Sequence, residues 1–450
     1  MPEHFSADMS AKDAQASKDL VTRLQATRFI RSVGQGALLV LFALYLRELG
    51  WNAASIGLLF SASGLFGAVA GWFVGLASDR RERKPFVLLY EKLAAAAGLL
   101  LLLTDHAIAL AAACLLIGFG HSQSGVPSFA AAAEQAWLAE GVPANRRGAV
   151  FSMNSALGFF GMAAGSMLAG GVPLLRLVLP ELFAYRVFFA VAAAFALLNL
   201  ALLRKGAERV EAPGEETGGR IGRSGGAPTS VAAAFAERAK TDPDGVRREE
   251  NGIMLRMALI NALNGVAVGL TSPLLAYWFN LKFGVGPGEL GPVYALTFVV
   301  TGLASVWTGR LSDKVGIVRA VVTVRLAAVL LLVATPLVPT FWLASVTHVL
   351  RSALARGSVG ARRALAVNLV RPERRGVASS VNNVSMSMPM AVGPSIAGFF
   401  LEAGQLAMPF FLGAALQFFY GTLFGAAFKR YDPGPPPQER DKAGGAKAVS

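Results

Sequence analysis

Charged residues are rare inside the long apolar stretches of this 450-residue chain, and those present mark candidate sites for chemistry. The basic residues placed deepest are Arg31 and Arg351, and the acidic ones are Glu91 and Glu134. A charge in such a stretch is costly unless it meets water, a partner or a charged ligand. Because arginine binds oxyanions and a carboxylate can take up a proton, these residues predict an internal polar site for an anionic group, a proton or both.

Three further arginines, Arg28, Arg256 and Arg325, stand within about two turns of the end of an apolar stretch. Side chains in that position can extend to the membrane surface, so we expect these three to reach the cytoplasmic interface. Polar amides inside the apolar stretches either line an aqueous cavity or hydrogen-bond between helices. The amides that are candidates for a solute cavity are Gln35, Asn154, Asn261, Asn264, Asn382 and Asn383.

The sequence offers no constellation for enzyme chemistry. Its four histidines are scattered and its one cysteine, Cys114, lies in an apolar stretch, so neither a nucleophile–base pair nor a metal-ligand cluster is predicted. A glycine-rich phosphate-binding loop is also missing, which argues against ATP-driven pumping. We therefore expect no catalytic residue, no metal and no cofactor.

The elements that must position the charged residues are membrane spans. Hydrophobic residues make up 54% of the chain and charged residues 16%, whereas soluble domains carry about a quarter charged residues. The net charge of +14 comes from short basic clusters between apolar stretches, which fits membrane topology and not a nucleic-acid surface. Because the clusters fall in alternate connections, the positive-inside rule predicts that both termini are cytoplasmic.

Twelve apolar stretches approach the roughly twenty residues that a helix needs to cross a bilayer. They predict an all-α polytopic membrane protein with twelve transmembrane helices. We expect a cytoplasmic tail at 1–22, six spans within 23–203, a cytoplasmic linker at 204–250, six spans within 251–430 and a disordered tail at 431–450. The predicted spans are 23–49, 55–77, 85–104, 107–134, 149–172, 182–203, 252–279, 288–308, 319–338, 340–360, 376–401 and 406–428.

Two internal repeats relate the halves of the chain. Residues 75–84, GLASDRRERK, are echoed by residues 309–316, GRLSDKVG, and residues 145–154 match residues 373–382. The first repeat closely resembles the loop between the second and third helices of the major facilitator superfamily, with its weaker copy between the eighth and ninth. The resemblance covers nearly the whole chain.

In that family this loop is part of the cytoplasmic gate. The resemblance implies gating roles for Asp79, Arg80, Arg83, Lys84, Asp313 and Lys314, although Glu82 replaces the glycine that Gly316 keeps in the second copy. It also implies two pseudo-symmetric six-helix bundles, a solute site between them near the bilayer midplane, and alternating access. One chain then holds a complete pathway, so a monomer suffices. A scaffold without transport would not need two gate motifs.

The resemblance extends to the fourth, fifth and eleventh spans. His121 stands in the fourth span where the family often has arginine, and because histidine titrates near neutral pH, it joins Glu91 and Glu134 as a proton-coupling candidate. His121 as a packed polar residue is the alternative. The glycine-and-proline pattern of the other two spans predicts close helix packing and is similar to that of drug/proton antiporters. Its residues are Gly158, Gly161, Gly165, Gly393, Pro394 and Gly398.

These observations favour a secondary transporter that moves a small organic solute by alternating access, with efflux by proton antiport across the cell's inner (plasma) membrane as the leading interpretation. The scarcity of embedded acids argues against a lipophilic cation as the solute. The alternative is a proton-coupled or exchange-type uptake carrier for an organic or phosphorylated anion. The expected partners are the solute, protons and the lipid bilayer.

Overall fold

The computed structural model describes residues 3–78, 82–118, 129–143, 146–205, 235, 237–357, 362, 365, 369–371 and 374–431. For residues 3–14, 76, 305–306, 308–315, 317, 357 and 430 it describes the backbone alone. All regular secondary structure in the described residues is helical, which confirms the predicted all-α fold.

The described residues of the first half of the chain form eight helices. They are α1 (Glu3–Glu48), α2 (Ala53–Ser78), α3 (Lys84–Leu103), α4 (Ala107–Ile117), α5 (Ala131–Glu140), α6 (Arg147–Ala169), α7 (Val172–Leu175) and α8 (Glu181–Arg204). Helix α1 begins well before residue 23, where its span was predicted to start. Leu20 of this extension packs together with Leu24, Val87 and Trp137 in one apolar cluster.

In the second half, seven α-helices have bounds within the described residues. They are α9 (Pro243–Thr271), α10 (Leu275–Phe283), α11 (Pro287–Val315), α12 (Ile317–Leu337), α13 (Phe341–Gly357), α14 (Arg375–Glu402) and α15 (Met408–Phe428). The predicted seventh span is divided between α9 and α10 at Pro273, which lacks the N–H that a continuing helix needs. Helix α4 ends inside the predicted fourth span, where Gly118 adopts a left-handed φ of 71° that side chains disfavour.

Nine of the described helices are long and apolar enough to cross a membrane. The other predicted spans correspond to shorter or incompletely described helices. The fourth includes α4 and α5, the eighth is α11, and the tenth is the 17-residue α13. The architecture is therefore that of an all-α polytopic membrane protein.

Contacts divide the chain into two units. The first contains residues 1–225, 268–299 and 390–409, and the second contains residues 226–267, 300–389 and 410–450. The first unit thus holds α1 to α8 together with one end of α9 and of α14, the whole of α10 and the start of α11.

Close approach of α1 and α6 organises the first unit. A Cβ at Gly161 would lie 2.7 Å from the carbonyl oxygen of Phe29 and 2.6 Å from the Cβ of Ser32, so only glycine allows this contact. Gly165 faces the backbone of Val33 in the same way. Because Arg31 lies between Phe29 and Val33 on α1, this packing fixes the helix segment that carries the first candidate site.

An apolar cluster organises the second unit. Side chains of α9, α12 and α15 form it, including Ile260, Val321 and Phe424. Near the start of α9, the carboxylate of Glu250 binds Arg371 at 3.1 Å and Arg374 at 3.0 Å. These contacts position α9, α12 and α15, which carry the second candidate site.

Candidate functional site

The first candidate site, the Arg31 cluster, consists of Arg31, Glu91 and Glu134. Arg31 of α1 donates from Nε and Nη2 to Oε1 of Glu91 in α3, at 2.8 and 2.5 Å. Its Nη1 donates to Oε2 of Glu134 in α5, at 2.6 Å. The three residues are 6%, 1% and 4% exposed, so one buried guanidinium is shared by two buried carboxylates.

Polar and aromatic neighbours complete the Arg31 cluster. Asn199 of α8 donates to Oε2 of Glu91 at 3.4 Å. The guanidinium lies 5.5 Å from the ring centroid of Tyr90, whose hydroxyl accepts a hydrogen bond from Gln35 at 3.3 Å. Arg28 is also buried, and the charges of Glu134 and Arg31 act on it. The cluster therefore holds one buried guanidinium between two buried carboxylates, with further polar groups around them.

The second candidate site, the Arg325 cluster, consists of Arg325, Asn264, Tyr420, Arg362 and Arg351. Arg325 of α12 is 2% exposed and donates from Nη1 to Oδ1 of Asn264 in α9, at 3.1 Å. Its guanidinium lies 5.4 Å from the ring centroid of Tyr420 in α15. In the part of the chain that the structure describes, no carboxylate forms an ion pair with Arg325.

Further positive charge surrounds Arg325. Arg362 donates from Nη1 to the hydroxyl of Tyr420 at 3.2 Å and lies 5.8 Å from the same ring. The charges of Arg362 and Arg351 both act on Arg325. His348 of α13 is buried one turn before Arg351, 3.5 Å from the hydroxyl of Ser352. This arrangement is electropositive and suited to an anion.

The predicted amides have different surroundings. Gln35 lies beside the Arg31 cluster and Asn264 belongs to the Arg325 cluster, whereas Asn261 and Asn382 bind each other at 2.9 Å. Asn383 is exposed. Asn154 is 8% exposed, and its Oδ1 has no hydrogen-bond partner among the described residues, so it remains a candidate for contact with a solute.

Most of the predicted gate cannot be placed. Asp79 and Arg80 lie outside the described residues, as does the proton-coupling candidate His121, and for Asp313 and Lys314 the structure describes only the backbone of α11. Arg83 pairs with Glu140 and donates to the carbonyl oxygen of Ala136 at 2.9 Å. Lys84 begins α3 and is half-buried. The gating assignments therefore stay predictions.

Two arginines contradict the expectation that they extend to the interface. Arg28 and Arg325 are 5% and 2% exposed, whereas Arg256 is exposed as expected. Distance from a helix end permits a side chain to reach water but does not force it to, and at both positions the helix turns the residue inward. Sequence reasoning also did not single out Asn199, His348 or Tyr420, because a buried polar residue in an apolar helix is usually a packing residue.

Four of the predicted packing glycines lie at close helix contacts. Besides Gly161 and Gly165, Gly393 meets the backbone of Gly269, and Gly398 meets that of Ala53. The carbonyl oxygen of Pro394 lies where a Cβ on Gly57 would stand, and Gly158 is buried in α6. The described residues contain no group of three or more metal-ligand side chains.

The described residues form helices only, and charged clusters lie inside the membrane spans, which are features of a polytopic membrane transporter. The chain belongs to the Major Facilitator Superfamily, because that family's sequence model matches residues 26–243 and 257–450. It is accordingly a secondary transporter and not an enzyme, and its fold is the two-bundle fold of that family.

Individual relatives are distant. The uncharacterized membrane protein YJR124C of Saccharomyces cerevisiae is 21% identical over 413 residues, covering 89% of this chain and 92% of that protein. A mutant of the nucleoside transporter NupG matches with a TM-score of 0.66 and 13% identity, over 91% of this chain and 100% of NupG. A D-xylose–proton symporter matches with a TM-score of 0.65 and 14% identity, over 91% and 96% of the two chains. At these identities the structural matches support the fold alone.

Proposed function

We propose that this transporter couples the movement of a small organic solute to protons, and that the Arg31 cluster exchanges the proton. The observation that carries the proposal is the pair of buried carboxylates on one buried guanidinium, supplied by α1, α3 and α5. A proton added to either carboxylate replaces an ion pair with Arg31. Because the partners lie on different helices, protonation weakens a contact between helices, which is what coupling to a conformational change requires.

The two carboxylates have different roles in this proposal. Glu91 receives two N–H groups of Arg31 on one oxygen and Asn199 on the other, so it holds the guanidinium in place. Glu134 receives a single N–H group of Arg31. Protonation of Glu134 therefore costs fewer hydrogen bonds than protonation of Glu91. We assign proton exchange to Glu134 and the positioning of Arg31 to Glu91.

Efflux by proton antiport, as in drug/proton antiporters, is our leading direction. It is supported by the glycines and proline of α14, Gly393, Pro394 and Gly398, which meet neighbouring helices closely.

The alternative is an uptake carrier for an organic or phosphorylated anion, which the buried arginines Arg325 and Arg351 favour. The basic connections support cytoplasmic termini and a cytoplasmic gate at Asp79 and its neighbours. We also propose that the protein works as a monomer in the plasma membrane, because one chain supplies both halves of the pathway.

The test uses inside-out vesicles with an imposed pH gradient and a lumenal pH dye. Cationic, neutral and anionic compounds are added one at a time, and proton release evoked by a compound identifies antiport. We expect this signal with the native chain and with Glu237→Gln, a control that removes an exposed carboxylate in a contact with Lys240. Glu134→Gln is expected to lose the proton signal but to keep exchange of labelled solute across the membrane.

Two outcomes would change the proposal. Full proton release with Glu134→Gln would remove the Arg31 cluster from the coupling path. Counterflow of an anion without any proton signal would replace antiport with uptake or exchange. Asp79→Asn is expected to abolish both solute exchange and proton release, because a gate acts on every mode of transport.

A further inference from the structure

We propose that the Arg325 cluster binds an oxyanion, a carboxylate or a phosphate, and that this group belongs to the transported solute. This inference rests on the proposed transport function in one respect only, namely that the bound oxyanion is part of the transported solute. It does not depend on proton exchange at Glu134.

The protein holds Arg325 so that one edge of its guanidinium is available. Asn264 takes Nη1, and the ring of Tyr420 lies against the guanidinium. On the opposite edge, Nε is buried and has no hydrogen-bond partner within the described residues. The Nε–Nη2 edge presents two parallel N–H groups, the geometry that binds a carboxylate or phosphate through two oxygens at once.

The charge around Arg325 also calls for an anion. The positive charges of Arg362 and Arg351 both act on Arg325, and Arg362 and Arg325 lie beside the same Tyr420 ring. The ion-paired carboxylates described in this unit, Glu237, Glu249 and Glu250, bind other basic residues. Among the described residues no carboxylate pairs with Arg325, and a buried cation without a counter-charge is expensive. An oxyanion would supply a negative charge together with hydrogen-bond acceptors.

A packing role explains these contacts less well. Apolar residues already fill the neighbouring cluster of α9, α12 and α15, and a leucine or methionine at position 325 would avoid the cost of burying a charge. The ring of Tyr420 lies beside two guanidinium groups, and its hydroxyl accepts a hydrogen bond from Arg362. The tyrosine therefore orients the two guanidinium groups but leaves their positive charge in place. A site that binds an anion and later releases it needs such a charge.

The experiment measures thermal unfolding of the full-length protein in nanodiscs of zwitterionic lipid. The probes are inorganic phosphate, succinate and benzoate, compared at equal ionic strength with chloride and with glucose as a neutral compound. We expect at least one oxyanion to raise the unfolding temperature with increasing concentration. Arg325→Gln should weaken the apparent affinity by roughly 10- to 100-fold, because hydrogen bonds to charged groups contribute that much.

Two variants serve as controls. Arg256→Gln removes an exposed positive charge from α9 and is expected to leave the anion affinity unchanged. Arg325→Lys keeps the charge but not the paired N–H groups, so its affinity should fall between those of the native chain and Arg325→Gln. If Arg325→Gln does not fold, the comparison of Arg325→Lys with Arg256→Gln decides the question in the same way.

The proposal is overturned if no oxyanion protects the native chain more than chloride does, or if protection is equal in Arg325→Gln. Nanodiscs containing phosphatidylglycerol distinguish a lipid headgroup from a solute. Protection that depends on Arg325 but comes only from the anionic lipid would assign the site to lipid and overturn the solute. Glu134→Gln should bind the oxyanion normally, so failure of either proposal is recognised independently of the other.

Discussion

Arg31 and Arg325 are buried to a similar degree, but the charges around them have opposite signs. Two carboxylates bind Arg31, whereas Arg325 has an amide, a tyrosine ring and the charges of two further arginines beside it. We propose that the same residue type serves two purposes in the two clusters. An arginine held by two carboxylates can exchange one of them when that carboxylate takes up a proton, and an arginine with no carboxylate partner among the described residues can receive a charged ligand.

The largest expected effect separates the two arginines by stability. Arg31→Met leaves Glu91 and Glu134 buried without their cation, and loss of one partner from a buried ion pair costs about 3–5 kcal/mol. Arg325→Met removes a buried cation that has no carboxylate partner among the described residues, so the unfolding temperature should be unchanged or higher. Thermal unfolding of the purified proteins in detergent measures both.

A triple variant provides the control for that comparison. Adding Glu91→Gln and Glu134→Gln to Arg31→Met removes the uncompensated carboxylates and should recover much of the lost stability. A similar destabilisation by Arg31→Met and Arg325→Met would mean that both arginines are held by packing, and the contrast between the clusters would disappear.

An intermediate effect is expected from the packing that fixes Arg31. Gly161→Ala places a Cβ within 3 Å of Phe29 and Ser32, and overpacking of this kind costs about 1–3 kcal/mol. Gly148→Ala on the same helix has open space around its Cβ and should be neutral or slightly stabilising, because alanine favours helix. Thermal unfolding gives the stability, and the vesicle assay tests whether proton release is lost together with it. Equal results for the two variants would exclude close packing as the support of the Arg31 cluster.

The smallest effect concerns the ring of Tyr420. Tyr420→Leu removes the aromatic face beside Arg325, and such a contact contributes about 0.5–2 kcal/mol. The oxyanion affinity should fall accordingly, whereas Tyr420→Phe, which keeps the ring and loses only the hydroxyl, should retain most of it. The same thermal titration measures both variants. Unchanged affinity in Tyr420→Leu would show that the ring does not orient Arg325 for the ligand.

Much of the architecture could be predicted from the sequence. Apolar length predicts the spans, because a helix must satisfy its own backbone hydrogen bonds in lipid. The repeat of residues 75–84 at 309–316 indicated the family. The rarity of embedded charges also singled out Arg31, Glu91 and Glu134, although it assigned the arginine to solute and the two acids to protons. Helix breaks at Gly118 and Pro273 were not predicted, because both lie within continuous apolar stretches.

By itself, the sequence determined the helical membrane fold, the family and the few charged residues that lie inside apolar stretches, since these follow from local composition and motifs. Only the tertiary structure decided which charges meet. Arg31 and Glu134 are 103 residues apart, and their pairing depends on how α1, α3 and α5 pack. Tertiary packing also decided that the Arg325 side chain is buried and does not extend to the membrane surface, because burial depends on neighbouring helices and not on the distance from a helix end.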